Sequence, residues 1–393
     1  MRAAAWPPHS RRRQPMKRLV PLLILAAACS SAPTPTSTVA PLKIGNYSVD
    51  VGPSPVGVIP TTMLHDAQRN KDVEVSIEYP TRGGPFPVIV FSHGYGSSDR
   101  GYEPLISYWT SYGYVCIRPS HADAAAPRDT IREALERPAP RSQSRQRGIT
   151  VEPNVQPRNT MEAIWDKERE PQWRDRALDV KLVLDSLADL EQRFPELRGK
   201  MDRNQIGVGG HSYGGFTAML ISGARTFSNP PLSMADPRVR AALVMSPQGT
   251  AQNRGLTPQS WSDVRIPVMY MTGTNDRGAA ESETPDWRKQ AFEYSPAGDK
   301  YFVLIPGASH MSFTGALGVF DLPPEMPRQT INQPGGMTPV QQQRPGILSR
   351  TGFGTIKLVS LIFWDAYLKN DPTAREALSG QQLESSGVKI EKK

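Results

Sequence analysis

Gln205-Ile206-Gly207-Val208-Gly209-Gly210-His211-Ser212-Tyr213-Gly214-Gly215 decides how this chain is read. The stretch predicts a buried strand, then Gly-His-Ser-Tyr-Gly, then a helix beginning at Phe216-Thr217-Ala218-Met219-Leu220. A serine between two such elements sits on a sharp turn whose flanking side chains would clash. Gly210 and Gly214 leave that space open. The turn holds the Ser212 hydroxyl out above a sheet, and the N-terminus of the following helix favours negative charge there. These features make Ser212 a candidate nucleophile.

Two further strand ends supply partners. Ile266-Pro267-Val268-Met269-Tyr270-Met271-Thr272-Gly273-Thr274-Asn275-Asp276 is an apolar run ending in a carboxylate loop. Tyr301-Phe302-Val303-Leu304-Ile305-Pro306-Gly307-Ala308-Ser309-His310 is another, ending in a histidine. A serine hydroxyl is a weak nucleophile at neutral pH and needs a base to take its proton, here His310. Asp276 would fix the histidine tautomer and stabilise the imidazolium. Glu281, Glu283 and Asp286 are the nearest substitutes for Asp276. The chain order Ser212, Asp276, His310 is that of the α/β-hydrolase arrangement.

Upstream, Pro87-Val88-Ile89-Val90-Phe91-Ser92-His93-Gly94-Tyr95-Gly96 predicts a strand ending in a glycine-rich loop. That loop and the residue after the nucleophile would supply two backbone N–H groups, from Tyr95 and Tyr213, to a developing oxyanion. His93 precedes Ser212 and is assigned to holding the loop. Of the other histidines, His65 and His121 form no metal-type pair, so no metal and no cofactor are expected. Cys116, inside an apolar strand, is expected to be a core residue and not a reactive thiol.

Arg11-Arg12-Arg13 and Lys17-Arg18 precede an apolar run from Leu19 that ends in Ala26-Ala27-Ala28-Cys29. A basic start, a short apolar core and small residues describe an export signal over 1–29, with Met1 or Met16 as its start. The small residues before Cys29 are similar to a bacterial lipobox, which would make Cys29 a lipid attachment point and the membrane a partner through that anchor alone. The chain carries 46 basic and 38 acidic residues. Six of the basic ones lie in residues 1–28, so the remainder is nearly balanced, and no nucleic-acid partner is expected. Residues 30–45, rich in Ser, Thr and Pro, are expected to be a tether. The expected localisation is exported: an outer-membrane or cell-surface lipoprotein, or else periplasmic or extracellular.

The body, 46–375, is expected to be α/β: a mostly parallel central sheet flanked by helices, with two long insertions. Residues 72–79 alternate and predict a half-exposed antiparallel edge strand. Runs at 88–92, 114–118, 205–209, 239–245, 267–272 and 301–305 predict buried strands. Helices are expected at about 101–112, 174–190, 214–224 and 285–293. A last one, at 353–369, carries Ile356, Val359, Ile362, Phe363 and Ala366 on one face. Residues 124–171 and 311–351 are the insertions, and 376–393 a polar C-terminal tail. Met311 and Phe313, directly after His310, are the expected substrate walls.

Taken together, Pro87 to Gly96, Gly210 to Gly215, Asp276 and His310 resemble the α/β-hydrolase superfamily over roughly residues 72–370. Phe-Ser-His-Gly-Tyr-Gly paired with Gly-His-Ser-Tyr-Gly-Gly is most similar to the branch of dienelactone hydrolase-like and platelet-activating-factor acetylhydrolase-like serine esterases. The resemblance implies hydrolysis of a small-molecule or lipid ester through an acyl-enzyme. In plasma-type acetylhydrolases the acid follows the strand after the elbow. Here that place reads Val244-Met245-Ser246-Pro247-Gln248-Gly249, without a carboxylate, so the acid falls one strand later, as in cutinase-like polyesterases. A lipase or polyesterase is one alternative. A catalytically silent binding protein on the same fold is another. The elbow also resembles that of prolyl-oligopeptidase-type peptidases, but about forty residues between the tether and the first strand leave no room for their propeller.

Overall fold

The apolar runs form adjacent strands because each alternates its side chains between two helical layers. In the strand Phe86–Ser92, Val88 and Val90 enter one core while Ile89 and Phe91 enter the other. The strand Val239–Met245 divides likewise, with Ala242 and Val244 on one side and Ala241, Leu243 and Met245 on the other. The computed structural model describes residues 43–124, 170–228, 231–278, 282–315, 339–380, 383 and 388–393, excluding the side chains of 170–171 and 339–351. The leader, Cys29 and residues 30–42 of the expected tether lie outside these residues, whereas Lys43–Ile44, expected in the tether, pairs antiparallel with Tyr47–Ser48 and buries Ile44 in the core.

Among the described residues nine strands form the main sheet: β1 (Val56–Asp66), β2 (Lys71–Pro80), β3 (Phe86–Ser92), β4 (Val115–Ser120), β5 (Met201–His211), β6 (Val239–Met245), β7 (Val268–Asn275), β8 (Lys300–Ser309) and β9 (Lys389–Lys392). Their order is β9-β8-β7-β6-β5-β3-β4-β2-β1. The six strands β3 to β8 are mutually parallel. β1, β2 and β9 join antiparallel at the two sides. This is the α/β-hydrolase fold, as expected.

The helices are α1 (Glu103–Ser111), α2 (Glu170–Asp185), α3 (Leu187–Arg193), α4 (Tyr213–Ile221), α5 (Pro285–Tyr294), α6 (Pro339–Leu368) and α7 (Pro372–Ala377). Residues of α2 to α5 pack into one core, and residues of α1, α6 and α7 into the other. All nine residues of α4 are buried. Ile356, Val359, Ile362, Phe363 and Ala366 of α6 are fully buried, as their spacing predicts. Among the described residues no helix is long and apolar enough to cross a membrane.

Several expectations are corrected. The strand at 72–79 is antiparallel but is not the edge, because β1 covers it and leaves it largely buried. The helix expected at 174–190 is two, α2 and α3, separated at Ser186, whose hydroxyl bonds back to the Leu182 carbonyl at 2.7 Å. The insertion at 311–351 is helical from Pro339 and opens with a 3₁₀ turn at His310–Thr314. Of 124–171, residues 125–169 lie outside the described residues. The tail at 376–393 contributes β9, and Leu378, Leu383 and Val388 are buried.

Candidate active site

The elbow follows from two close backbone approaches. A Cβ on Gly210 would lie 2.1 Å from the Gly214 carbonyl oxygen, and one on Gly214 would lie 1.9 Å from that of Ser92. Ser212 between them takes φ 56° and ψ −117°, a left-handed conformation that a non-glycine residue adopts only at a cost of about 1–3 kcal/mol. Its N–H donates to the Met245 carbonyl at 2.9 Å, and its carbonyl accepts from Phe216 N–H at 3.0 Å, so both strand β6 and helix α4 grip it.

Three loop ends meet above the sheet. Ser212 Oγ lies 2.9 Å from His310 Nε2, and His310 Nδ1 lies 2.9 Å from Asp276 Oδ1. With Ser212 donating to Nε2, the proton sits on Nδ1 and is donated to the carboxylate. The serine is buried, and the His310 side chain keeps 24% exposure. The structure thus brings Ser212, Asp276 and His310 into one hydrogen-bonded line. Glu283 is engaged elsewhere, by Arg254 at 2.5 Å.

Asp276 is fully enclosed and held from several sides. Its Oδ2 accepts from Ser246 Oγ at 2.6 Å and from Thr272 Oγ1 at 2.9 Å. Arg288 Nε pairs with Oδ1 at 3.1 Å, and the same guanidinium donates to the carbonyls of Ser246 and Pro247. Burial alone would raise this carboxyl. The Arg288 charge, His310 and the hydroxyl donors outweigh it and hold Asp276 well below the usual carboxylate range. Ser246 occupies the place after β6 where the sequence lacks an acid. Its φ of 52° turns its hydroxyl onto the acid that β7 delivers.

His211, between Gly210 and Ser212, backs the base. Its ring lies 4.7 Å from that of His310 and is stacked 5.4 Å from Phe313. Tyr102 OH accepts from Gly94 N–H at 3.1 Å and donates to His211 Nδ1 at 2.8 Å. Burial, with the neighbouring His310, drives His211 well below the ordinary histidine value and keeps it neutral. Phe313 is fully buried beneath these rings. It therefore supports the base and is not an open wall for substrate, contrary to the expectation. Met311 is half-buried beside His310.

The side chains of the two residues expected to supply the oxyanion amides are neighbours. The rings of Tyr95 and Tyr213 are 6.0 Å apart. His93 holds the loop as expected: Nδ1–H donates to the Gly94 carbonyl at 2.7 Å, and Nε2 accepts from His121 N–H at 3.1 Å. Cys116 is fully buried, and burial pushes its thiol up to about 12, as befits a core residue. Sequence reasoning missed Arg288, Thr272, Arg176, Asp123 and Asp179 as parts of this region. A capping Thr284 followed by Pro285 announced the helix that carries Arg288, but nothing local marked that arginine's partner.

Residues 60–246 match the family model for platelet-activating factor acetylhydrolase, isoform II. That span holds the Tyr95 loop and the elbow and ends before Asp276 and His310. A platelet-activating factor acetylhydrolase from Cavia porcellus is 23% identical over 240 residues, covering 59% of this chain and 49% of its own. Chlorophyllase-1 from Arabidopsis thaliana is 28% identical over 93 residues, 24% of this chain and 27% of its own. A putative phospholipase A2 from Schizosaccharomyces pombe is 26% identical over 170 residues, 38% of each chain. The chain spans about half or less of the length of these curated relatives.

Proposed function

We propose, from the premise that this chain is an α/β-hydrolase similar to the platelet-activating-factor acetylhydrolases, that it is a serine esterase. Ser212 attacks the ester carbonyl while His310 takes its proton, and Asp276 stabilises the imidazolium. The amides of Tyr95 and Tyr213 receive the oxyanion. His310 protonates the leaving alcohol, then activates the water that releases the acid. No cofactor enters these steps. The observation that carries the reading is the pair of 2.9 Å contacts joining Ser212, His310 and Asp276 in the required order.

Two of these relatives are named for acetyl and phospholipid hydrolysis, which favours a lipid or small-molecule ester whose acyl group sits near Tyr95 and Met311. The basic and apolar leader supports export, either as a secreted protein or as one held by a lipid anchor at Cys29.

Fluorophosphonate labelling read by peptide mass spectrometry tests the assignment, alongside hydrolysis of p-nitrophenyl esters from acetate to palmitate. An adduct on Ser212, with labelling and turnover lost in Ser212→Ala, is expected. No adduct and no turnover on any ester would return the chain to a silent binding role.

A further inference from the structure

Arg176, on α2, is almost fully buried and touches both halves of the proposed oxyanion site. Its Nε and Nη2 form a two-pronged pair with Asp123, at 2.9 and 2.7 Å. Nη1 donates to the His93 carbonyl at 2.8 Å and to Ser92 Oγ at 3.3 Å. Its guanidinium carbon stands 4.2 Å from the centre of the Tyr213 ring. Asp123 Oδ2 also accepts the Gly96 N–H at 3.3 Å. Tyr95 is therefore bracketed by the pinned His93 carbonyl before it and the pinned Gly96 amide after it.

A second serine–histidine–aspartate line supports this brace. Ser92 Oγ lies 2.9 Å from His121 Nε2, and His121 Nδ1 lies 2.9 Å from Asp179 Oδ2. Its connectivity copies that of Ser212, His310 and Asp276. Yet Ser92, His121 and Asp179 are enclosed, so no substrate reaches them. Arg69 and Lys71 fix Asp179 from the far side. This line holds the end of β3 against α2 and β4.

We propose that Arg176, with Asp123, is a positioning residue that sets the Tyr95 and Tyr213 amides for the oxyanion. The proposal rests on the esterase reading. A buried ion pair is weak grounds for stability, since apolar packing of equal volume does as well. What apolar packing lacks is directed donors onto His93 and Ser92, a directed acceptor for Gly96, and a cation on the Tyr213 face. Misplacing such donors costs rate and not ground-state binding, because the oxyanion exists only after attack.

The test compares wild type with Arg176→Met, Arg176→Lys and the near-isosteric Asp123→Asn. It measures kcat and KM on p-nitrophenyl acetate, binding of a trifluoromethyl ketone, and thermal melting. A loss of kcat of about 10- to 100-fold in Arg176→Met is expected, with KM within about threefold. Ketone affinity should fall in step with kcat, and guanidinium ion should restore part of the rate. Asp123→Asn should show the same split in milder form. Folded variants with wild-type kcat and ketone affinity, or losses that follow only the unfolded fraction, overturn the proposal. Wild type without turnover or Ser212 labelling overturns the esterase reading, and this proposal with it.

Discussion

Asp276 shows how much one residue can depend on its setting. Its carboxylate is enclosed, yet Arg288, Ser246, Thr272 and His310 all converge on it. Oδ1 orients His310 while Oδ2 is fixed by the two hydroxyls, so the imidazole is held in the tautomer that accepts from Ser212. Asn in its place would either turn an N–H₂ toward His310 Nδ1 and lose the tautomer, or turn a neutral carbonyl there and lose the charge. Asp276→Asn is expected to fold and to lower kcat by about 10⁴-fold with little change in KM. Steady-state kinetics on a p-nitrophenyl ester would decide it. A loss under tenfold would mean that another carboxylate serves as the acid.

The elements explain which parts of this arrangement were legible. The elbow is legible because its constraint is local: Gly210 and Gly214 are required by backbone oxygens about 2 Å from where a Cβ would stand. Gly214→Ala should therefore destabilise the protein by about 3 kcal/mol or more, since the Ser92 carbonyl it strikes is backbone and part of the β3–β5 seam. Urea unfolding checks this, and a change under about 0.5 kcal/mol would refute the packing described. The parallel strands were legible from their apolar runs, as were Ser212, Asp276 and His310 at three strand ends. β1 was not, because Pro60 and a bulge between Ile59 and Thr62 interrupt its alternation. Lys389–Lys392 holds one apolar residue, Ile390, and reads as a solvated tail until its backbone pairs with β8. Arg176 and Asp123 are 53 positions apart, and Ser92, His121 and Asp179 lie on three elements. Such pairings are made by the tertiary fold and leave no periodic trace.

At the scale of the whole molecule, burying histidines around the site ties stability to pH. His93, His121 and His211 are all enclosed. Burial first, then the nearby positive charge of Arg176 for His93 and His121 and the neighbouring His310 for His211, drives each well below the ordinary value of 6.5. The unfolded chain takes up protons at these positions near pH 6.5 while the folded chain does not. Their stabilisation is therefore complete above about pH 6.5 and is lost as pH falls toward the folded values. Each contributes up to about 1.4 kcal/mol per pH unit below that point, so three together give about 4 kcal/mol per unit. Glu78 and Asp179, whose carboxyls burial pushes up, act in the opposite sense. Asp123, held near 2 because Arg176 outweighs its burial, adds a further loss below about pH 4. Urea midpoints at pH 7.5, 6.5 and 5.5 should fall steeply between the last two values. His121→Gln should flatten that fall by about one proton. A midpoint that stays constant from pH 7.5 to 5.5 would mean that the histidines beneath the Tyr95 loop and the elbow are not held neutral, and that the hydrogen bonds drawn through His93 and His121 are misassigned.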